Sequence, residues 1–146
     1  MTSFTIEETR LTIEQTPVTT ELTNFVDEGF RTHGLEVTGF DEPIRRMAYI
    51  ARDGQTFVGC VTANILWGTL HIRHMFIVPE YRRKGLGKQL VEKALEYGQT
   101  HGCSAAFVDT LSFQALGFYQ KLGFTLEFSR TGFAHGASMH YLKKSL

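Results

Sequence analysis

Apolar and polar residues alternate from Phe4 to Glu8, the period of a short strand. Thr16-Pro17 then reads as an N-cap followed by proline at the first helical position. Val18, Leu22, Phe25, Val26 and Phe30 fall on one stripe of the helix that follows, which predicts a face turned toward a core. From Gly34 to Arg46 no period is visible, and Gly39 and Pro43 interrupt the chain. This predicts a loop with room for one helical turn, of the kind that lines substrate clefts.

Met47 to Ala51 and Thr56 to Ala63 are strand-like runs joined by Arg52-Asp53-Gly54-Gln55, and Asp-Gly is a strong hairpin signal. A second tight connection is expected at Trp67-Gly68. Leu70, Ile72, Phe76 and Val78 would share one face of the next strand, which ends at Pro79. A helix with Leu86, Leu90, Ala94 and Tyr97 in register follows, then a short buried strand at Ala105-Ala106-Phe107-Val108. Strand, helix and strand in that order favour a parallel pair. A second helix from Gln114 to Leu122 stops at Gly123, and Phe124 to Phe128 with Ser138 to Leu142 would close the sheet as an antiparallel pair. The fold class is mixed α/β, of the α+β type, in one domain spanning 1–146.

Composition narrows the function. Fifteen Lys plus Arg balance fifteen Asp plus Glu over 146 residues, so no global field holds a polyanion or an anionic membrane, and no nucleic-acid partner is expected. Along the chain the balance is uneven: residues 1 to 42 hold nine acids against Arg10 and Arg31, leaving −7 there and +7 in the remainder. The start of the chain has neither the basic n-region nor the apolar h-region of a leader, and no later run approaches the ~20 apolar residues of a membrane span. A cytoplasmic protein is the expectation. Cys60 and Cys103, far apart in apolar surroundings, read as free buried thiols.

The chemistry concentrates where a strand passes into a helix. Gly85 and Gly87 stand at that junction, where unpaired N–H groups and the positive end of the helix dipole make an anion site, with Arg82, Arg83, Lys84 and Lys88 around it. A Walker A loop would need glycine in place of Arg82 and Ser or Thr in place of Gln89. The dinucleotide fingerprint fails on its third glycine and on the antiparallel hairpins that precede it.

Arg82-Arg83-Lys84-Gly85-Leu86-Gly87 instead resembles the Arg/Gln-x-x-Gly-x-Gly/Ala motif of the GNAT superfamily of acyl-CoA-dependent N-acetyltransferases. The lead-in from Met75 to Tyr81 resembles the end of that family's fourth strand. Downstream, Gln114 to Phe124, a short helix bearing Phe118-Tyr119 and closing in Gly123-Phe124, resembles its second motif. The resemblance covers roughly residues 70 to 128. It implies a mixed, mostly antiparallel sheet with a splayed parallel pair, flanked by helices, and acetyl-CoA as co-substrate.

By the same resemblance, the backbone of Phe76, Ile77 and Val78 would pair with the pantetheine arm, and an N–H near Ile77 would donate to the thioester oxygen as it gains charge. Arg82, Arg83, Lys84, Gly85, Leu86, Gly87 and Lys88 would hold the pyrophosphate, and Ser112 stands at a polar cofactor-contact position. Tyr119 would protonate the departing thiolate, whose reference pKa near 8.5 lies not far below that of a phenol near 10.

The acceptor side needs a base, since neutralising a lysine-like ammonium at pH 7 costs about 4.6 kcal/mol. Relatives often place an acid on the fourth strand, where this chain has Arg73 and His74. His74 is the first candidate base; Asp109 is second, with Glu127 and His135 behind. His71, His74 and Cys60 are not expected to hold a metal, because a spacing of three puts the two histidines on opposite faces of a regular strand. The implied function is transfer of an acetyl group to a primary amine, most simply a small cationic one drawn by the acidic pole. The alternatives are a protein lysine or N-terminal acetyltransferase and a non-catalytic acyl-CoA-binding module. A homodimer is left open, with the C-terminal strand up to Leu142 as one contributor.

Overall fold

The computed structural model describes residues 10–146. The strand read at Phe4 to Glu8 lies outside them. The first described element is α1 (Thr20–Thr38), followed by β1 (Arg45–Asp53), β2 (Thr56–Leu66) and β3 (Thr69–Ile77). Then come α2 (Leu86–Thr100), β4 (Ala105–Leu111), α3 (Leu116–Lys121), β5 (Thr125–Arg130) and β6 (Met139–Ser145). The six strands form one sheet in the order β1-β2-β3-β4-β6-β5, with β3 and β4 parallel and every other pair antiparallel.

Both tight connections stand where glycine requires them. Gly54 turns β1 into β2 at φ 61°, and Trp67-Gly68, at φ 48° and 75°, turn β2 into β3 with both central residues left-handed. That is the hairpin turn whose twist matches its flanking strands. The core forms on one face of the sheet, where α2 lays Leu90, Val91, Ala94 and Leu95 against Val61, Ala63, Leu70 and Ile72. Gly98, inside α2, makes this approach possible, because a Cβ there would stand 3.2 Å from Leu70. On β4, Val108 and Ala106 complete the same layer, and β6 adds Leu142.

Three expectations about the first third of the chain need correction. Helix α1 begins at Thr20 rather than behind Thr16-Pro17: Thr19 is the cap, its hydroxyl accepting from the Leu22 N–H at 3.1 Å. Its apolar stripe is not core, since α1 buries no residue and Phe25 is 77% exposed. The stretch from Gly34 to Arg46, read as a loop with a helical turn, is helix up to Thr38, a loop only over residues 39–44, and strand from Arg45. Nothing there breaks the helix until Gly39, which at φ 79° closes it by donating to the Leu35 carbonyl at 2.8 Å. Arg46 of β1 pairs with Asp27, and Arg31 grips Asp41 through two hydrogen bonds of 2.6 and 2.7 Å. The guanidinium hydrogen bonds hold both carboxyls below their ordinary range, so part of the acidic pole is internally neutralised.

A further correction concerns β3. Thr62 opposes His74 but Ala63 opposes Ile72, leaving Arg73 as an extra, bulged residue. The alternation therefore inverts: Leu70 and Ile72 face the core before the bulge and Ile77 after it, while Phe76 turns outward and is 52% exposed. His71 and His74, expected on opposite faces, both lie on the face away from α2, because their partners Asn64 and Thr62 do.

Candidate active site

The parallel pair closes only from Thr69 to Ile72 on β3 and from Ala105 to Val108 on β4. Beyond that point β3 continues to Ile77 paired with β2 alone, and β4 continues to Leu111 paired with β6 alone. The strands splay. Backbone groups of Arg73 to Ile77 that would have met β4 lose that partner; the Ile77 carbonyl is taken by the Arg82 side chain, and the rest are left to bind something else, since main-chain donors and acceptors need partners. An amide-bearing extended chain such as a pantetheine arm suits that edge, and the fit rests on this geometry.

The basic loop leaves β3 at the same end. After a short turn at Pro79–Tyr81, Arg83 takes φ 61° and Gly85 φ 82°, and α2 begins at Leu86 with Gly85 as its cap. The first-turn N–H groups therefore open onto the loop. The loop is tied down on both sides. The Arg82 Nε donates to the Ile77 carbonyl at 2.8 Å with its guanidinium 5.5 Å from the Phe76 ring centre, and the Tyr81 hydroxyl donates to Asp53. Lys84 lies over the Tyr81 ring, and Lys88 is 3.9 Å from Glu92. A Cβ at Gly87 would meet the Phe118 ring at 3.4 Å, so α2 and α3 come close beside the splay. At Gly85 a side chain would force left-handed strain of about 1–2 kcal/mol. Gly85→Ala is expected to raise the KM for acetyl-CoA about tenfold with a smaller change in kcat, measured by initial rates.

Tyr119 of α3 is 4% exposed and packs edge-on against Phe118 and Phe124, with ring centres 5.0 and 5.5 Å away. Burial, with a smaller push from the negative charge of Asp109, raises its phenol to about 12. The hydroxyl has no hydrogen-bond partner among the described residues and is not sealed from solvent. It is a protonated donor held beside the splay. Ser112, by contrast, spends its hydroxyl on the Ser138 N–H at 3.1 Å, and its own N–H donates to the Ser138 carbonyl at 2.8 Å, fastening the start of β6.

On the face away from α2 the splay opens into a groove of about 320 Å³. His71 and Arg73 of β3, Phe107 and Asp109 of β4, Glu127 of β5 and Tyr141 of β6 line it. Glu127, like Arg73, is the extra residue of a bulge, standing between the pairs Leu126–Leu142 and Phe128–Tyr141. Two bulges thus aim two charges at one groove. His74 does not line it; this exposed residue has its Nδ1 2.9 Å from the Thr62 hydroxyl. His135 sits in a separate turn at φ 58°. Among the described residues no group of His, Cys, Asp and Glu is arranged to hold a metal ion. Burial raises the Cys103 thiol, which keeps it protonated.

Comparison with known proteins identifies this arrangement. Residues 13–124 match the acetyltransferase (GNAT) family. The chain belongs to that family. It is 30% identical over 99 residues to the blasticidin-S acetyltransferase of Streptomyces morookaense, an alignment covering 67% of this chain and 73% of that one. A solved Agrobacterium tumefaciens structure assigned as an acetyltransferase superposes with a TM-score of 0.78 at 23% identity, covering 93% of this chain and 99% of that one. A Bacillus anthracis structure assigned as a streptothricin acetyltransferase, solved with acetyl coenzyme A, superposes with a TM-score of 0.64 at 19% identity. It covers 69% of this chain and 62% of that one. This GNAT protein is therefore an acetyl-CoA-dependent N-acetyltransferase, with the family's splayed sheet. Among its described residues no helix is long and apolar enough to cross a membrane.

Proposed function

We propose that this acetyltransferase transfers the acetyl group directly to the primary amine of a small cationic acceptor, with both substrates bound together. The observation that carries the reading is the groove at the splay, which opens on the face away from α2 and is lined by Asp109 and Glu127 against the single cation Arg73. An ammonium group gains from that balance, and the blasticidin-S acetyltransferase relative supports a small antibiotic amine as acceptor.

In this reading the β3 edge at Phe76, Ile77 and Val78 lines up the pantetheine arm, an N–H near Ile77 donates to the thioester oxygen, and Tyr119 protonates the leaving sulfur. The Val78 N–H is already given to the Val58 carbonyl at 2.9 Å and the Ile77 carbonyl to Arg82. The N–H groups after Gly85, with Arg83, Lys84, Leu86, Gly87 and Lys88, take the pyrophosphate. Arg82 contributes the guanidinium edge it does not spend on Ile77, and Ser112 borders the site through the strand end it fastens. Bound acetyl-CoA supplies the activated acyl group.

The test is release of CoA thiol from acetyl-CoA with blasticidin S, streptothricin, aminoglycosides, polyamines and, separately, basic peptides. Turnover with a small amine and none with peptides supports the reading. Turnover confined to peptides replaces it with a protein acetyltransferase, and binding of acetyl-CoA without turnover on any acceptor replaces it with a non-catalytic module. Acids left unpaired by arginine on and after α1, such as Glu21, Glu36 and Glu42, lead to a further expectation. For a cationic amine, kcat/KM falls several-fold between low and physiological ionic strength, as screening over about 8–10 Å would cause. A salt-independent kcat/KM rules out this steering.

A further inference from the structure

The groove at the splay holds one group to which neither the family's pattern nor the sequence assigned a task. His71 stands on β3 immediately before the last paired position, half-buried, with its ring edge-on to Phe107 at 5.2 Å between centres. The other two strand histidines have their Nδ1 occupied, His74 by the Thr62 hydroxyl at 2.9 Å and His140 by the Ser129 hydroxyl at 2.7 Å. His71 has no hydrogen-bond partner among the described residues, and it lines the cavity. Burial first, then the positive charge of Arg73, holds its imidazole below the ordinary histidine value, while Asp109 opposes them in part. At pH 7 it is neutral and has a lone pair to offer.

We propose that His71, rather than His74, accepts the proton from the acceptor ammonium. This deepens the small-amine reading and rests on it. The surroundings are consistent with the task on every side. Its neighbour Asn64 on β2 is uncharged; Arg73 on its own strand disfavours the imidazolium, which keeps the lone pair free and passes a captured proton on readily; Asp109 from β4 and Glu127 from β5 draw the ammonium in. On β6, Tyr141 lines the groove, and Lys143, paired with Phe107, stands on the same face. The proton passes from the ammonium nitrogen to the imidazole and on to solvent. The freed lone pair forms the N–C bond, and the C–S bond breaks. The second amine proton leaves to solvent and balances the one that Tyr119 gives to sulfur and then recovers.

The test compares wild type with His71→Gln and His74→Gln, following kcat against pH at saturating acetyl-CoA with blasticidin S and with spermidine. Wild-type kcat is expected to fall on an acid limb with its midpoint below 6.5, and His71→Gln to lose at least tenfold at pH 7 together with that limb. Nuclear magnetic resonance titration of the wild-type imidazoles supplies a readout that needs no turnover. The His71 midpoint is expected below 6.5 and higher in Arg73→Gln. Retention of rate and limb in His71→Gln, loss of the limb in His74→Gln instead, or a His71 midpoint at or above 6.5 overturns the proposal. Absence of wild-type turnover on every small amine of the panel above rejects the small-amine reading, and the titration alone then decides on His71.

Discussion

Tyr119→Phe is expected to lower kcat by about 10²–10³-fold, within the range general acid catalysis supplies, while acetyl-CoA affinity by calorimetry changes less than about threefold. The split follows from what the substitution removes. The ring keeps its edge contacts with Phe118 and Phe124, so the wall of the splay survives and only the proton donor is lost. With the phenol at about 12 and a thiolate reference near 8.5, complete transfer in the resting environment is uphill by about 5 kcal/mol. In the proposed mechanism Tyr119 would therefore stabilise sulfur chiefly through a hydrogen bond that shortens as charge builds, the proton crossing as the C–S bond breaks. The sign of the shift sets the pH dependence. A raised phenol stays protonated throughout the neutral and moderately alkaline range, so no alkaline loss of rate below about pH 11 belongs to Tyr119. A variant within threefold of wild-type kcat removes Tyr119 from the chemistry.

The largest effect on stability is expected at Leu70. Its side chain is 0% exposed, wedged beneath Gly98 of α2 beside the parallel pairing of β3 and β4. Leu70→Ala leaves a cavity that the surrounding strands and helix fill only in part, and about 2–5 kcal/mol of unfolding free energy is lost. Against a typical total of about 5–15 kcal/mol that is a large fraction. Urea denaturation should show a lower midpoint with an unchanged slope. A loss under about 1 kcal/mol would mean that β3 and α2 close up over the missing atoms.

How much was legible in the sequence depended on whether the signal was local. The Asp53-Gly54 hairpin, the turn at Trp67-Gly68, the helix opening after Gly85 and the parallel crossover into Ala105 each follow from a few adjacent residues. The glycine loop before α2 was legible for the same reason, as glycine at a left-handed position before a helix is a backbone requirement that sequence displays. Helix α1 shows the limit. Its apolar stripe at Leu22, Phe25, Val26 and Phe30 is real, yet periodicity states only that a face exists, and here that face stays exposed. At Thr16-Pro17 the local signal itself misled, because Thr19 offers an equally good cap three residues on.

The sequence by itself determined the order of elements and the family, and it pointed to the glycine loop and Tyr119 as the candidates for anion binding and proton donation. Only the tertiary structure decided which polar side chains meet at the splay. A bulge is one unpaired residue in a ladder, set by the partner strand's register, and no pattern within Leu70 to Ile77 reports that Arg73 is extra. Yet that single residue turns Phe76 outward and brings His71 and His74 to one face. A second bulge, at Glu127 on a strand more than 50 residues further on, aims a carboxylate into the same groove. Strand periodicity assigns faces only while the ladder is unbroken, so the lining of the groove was fixed by pairing between strands and not by any one of them.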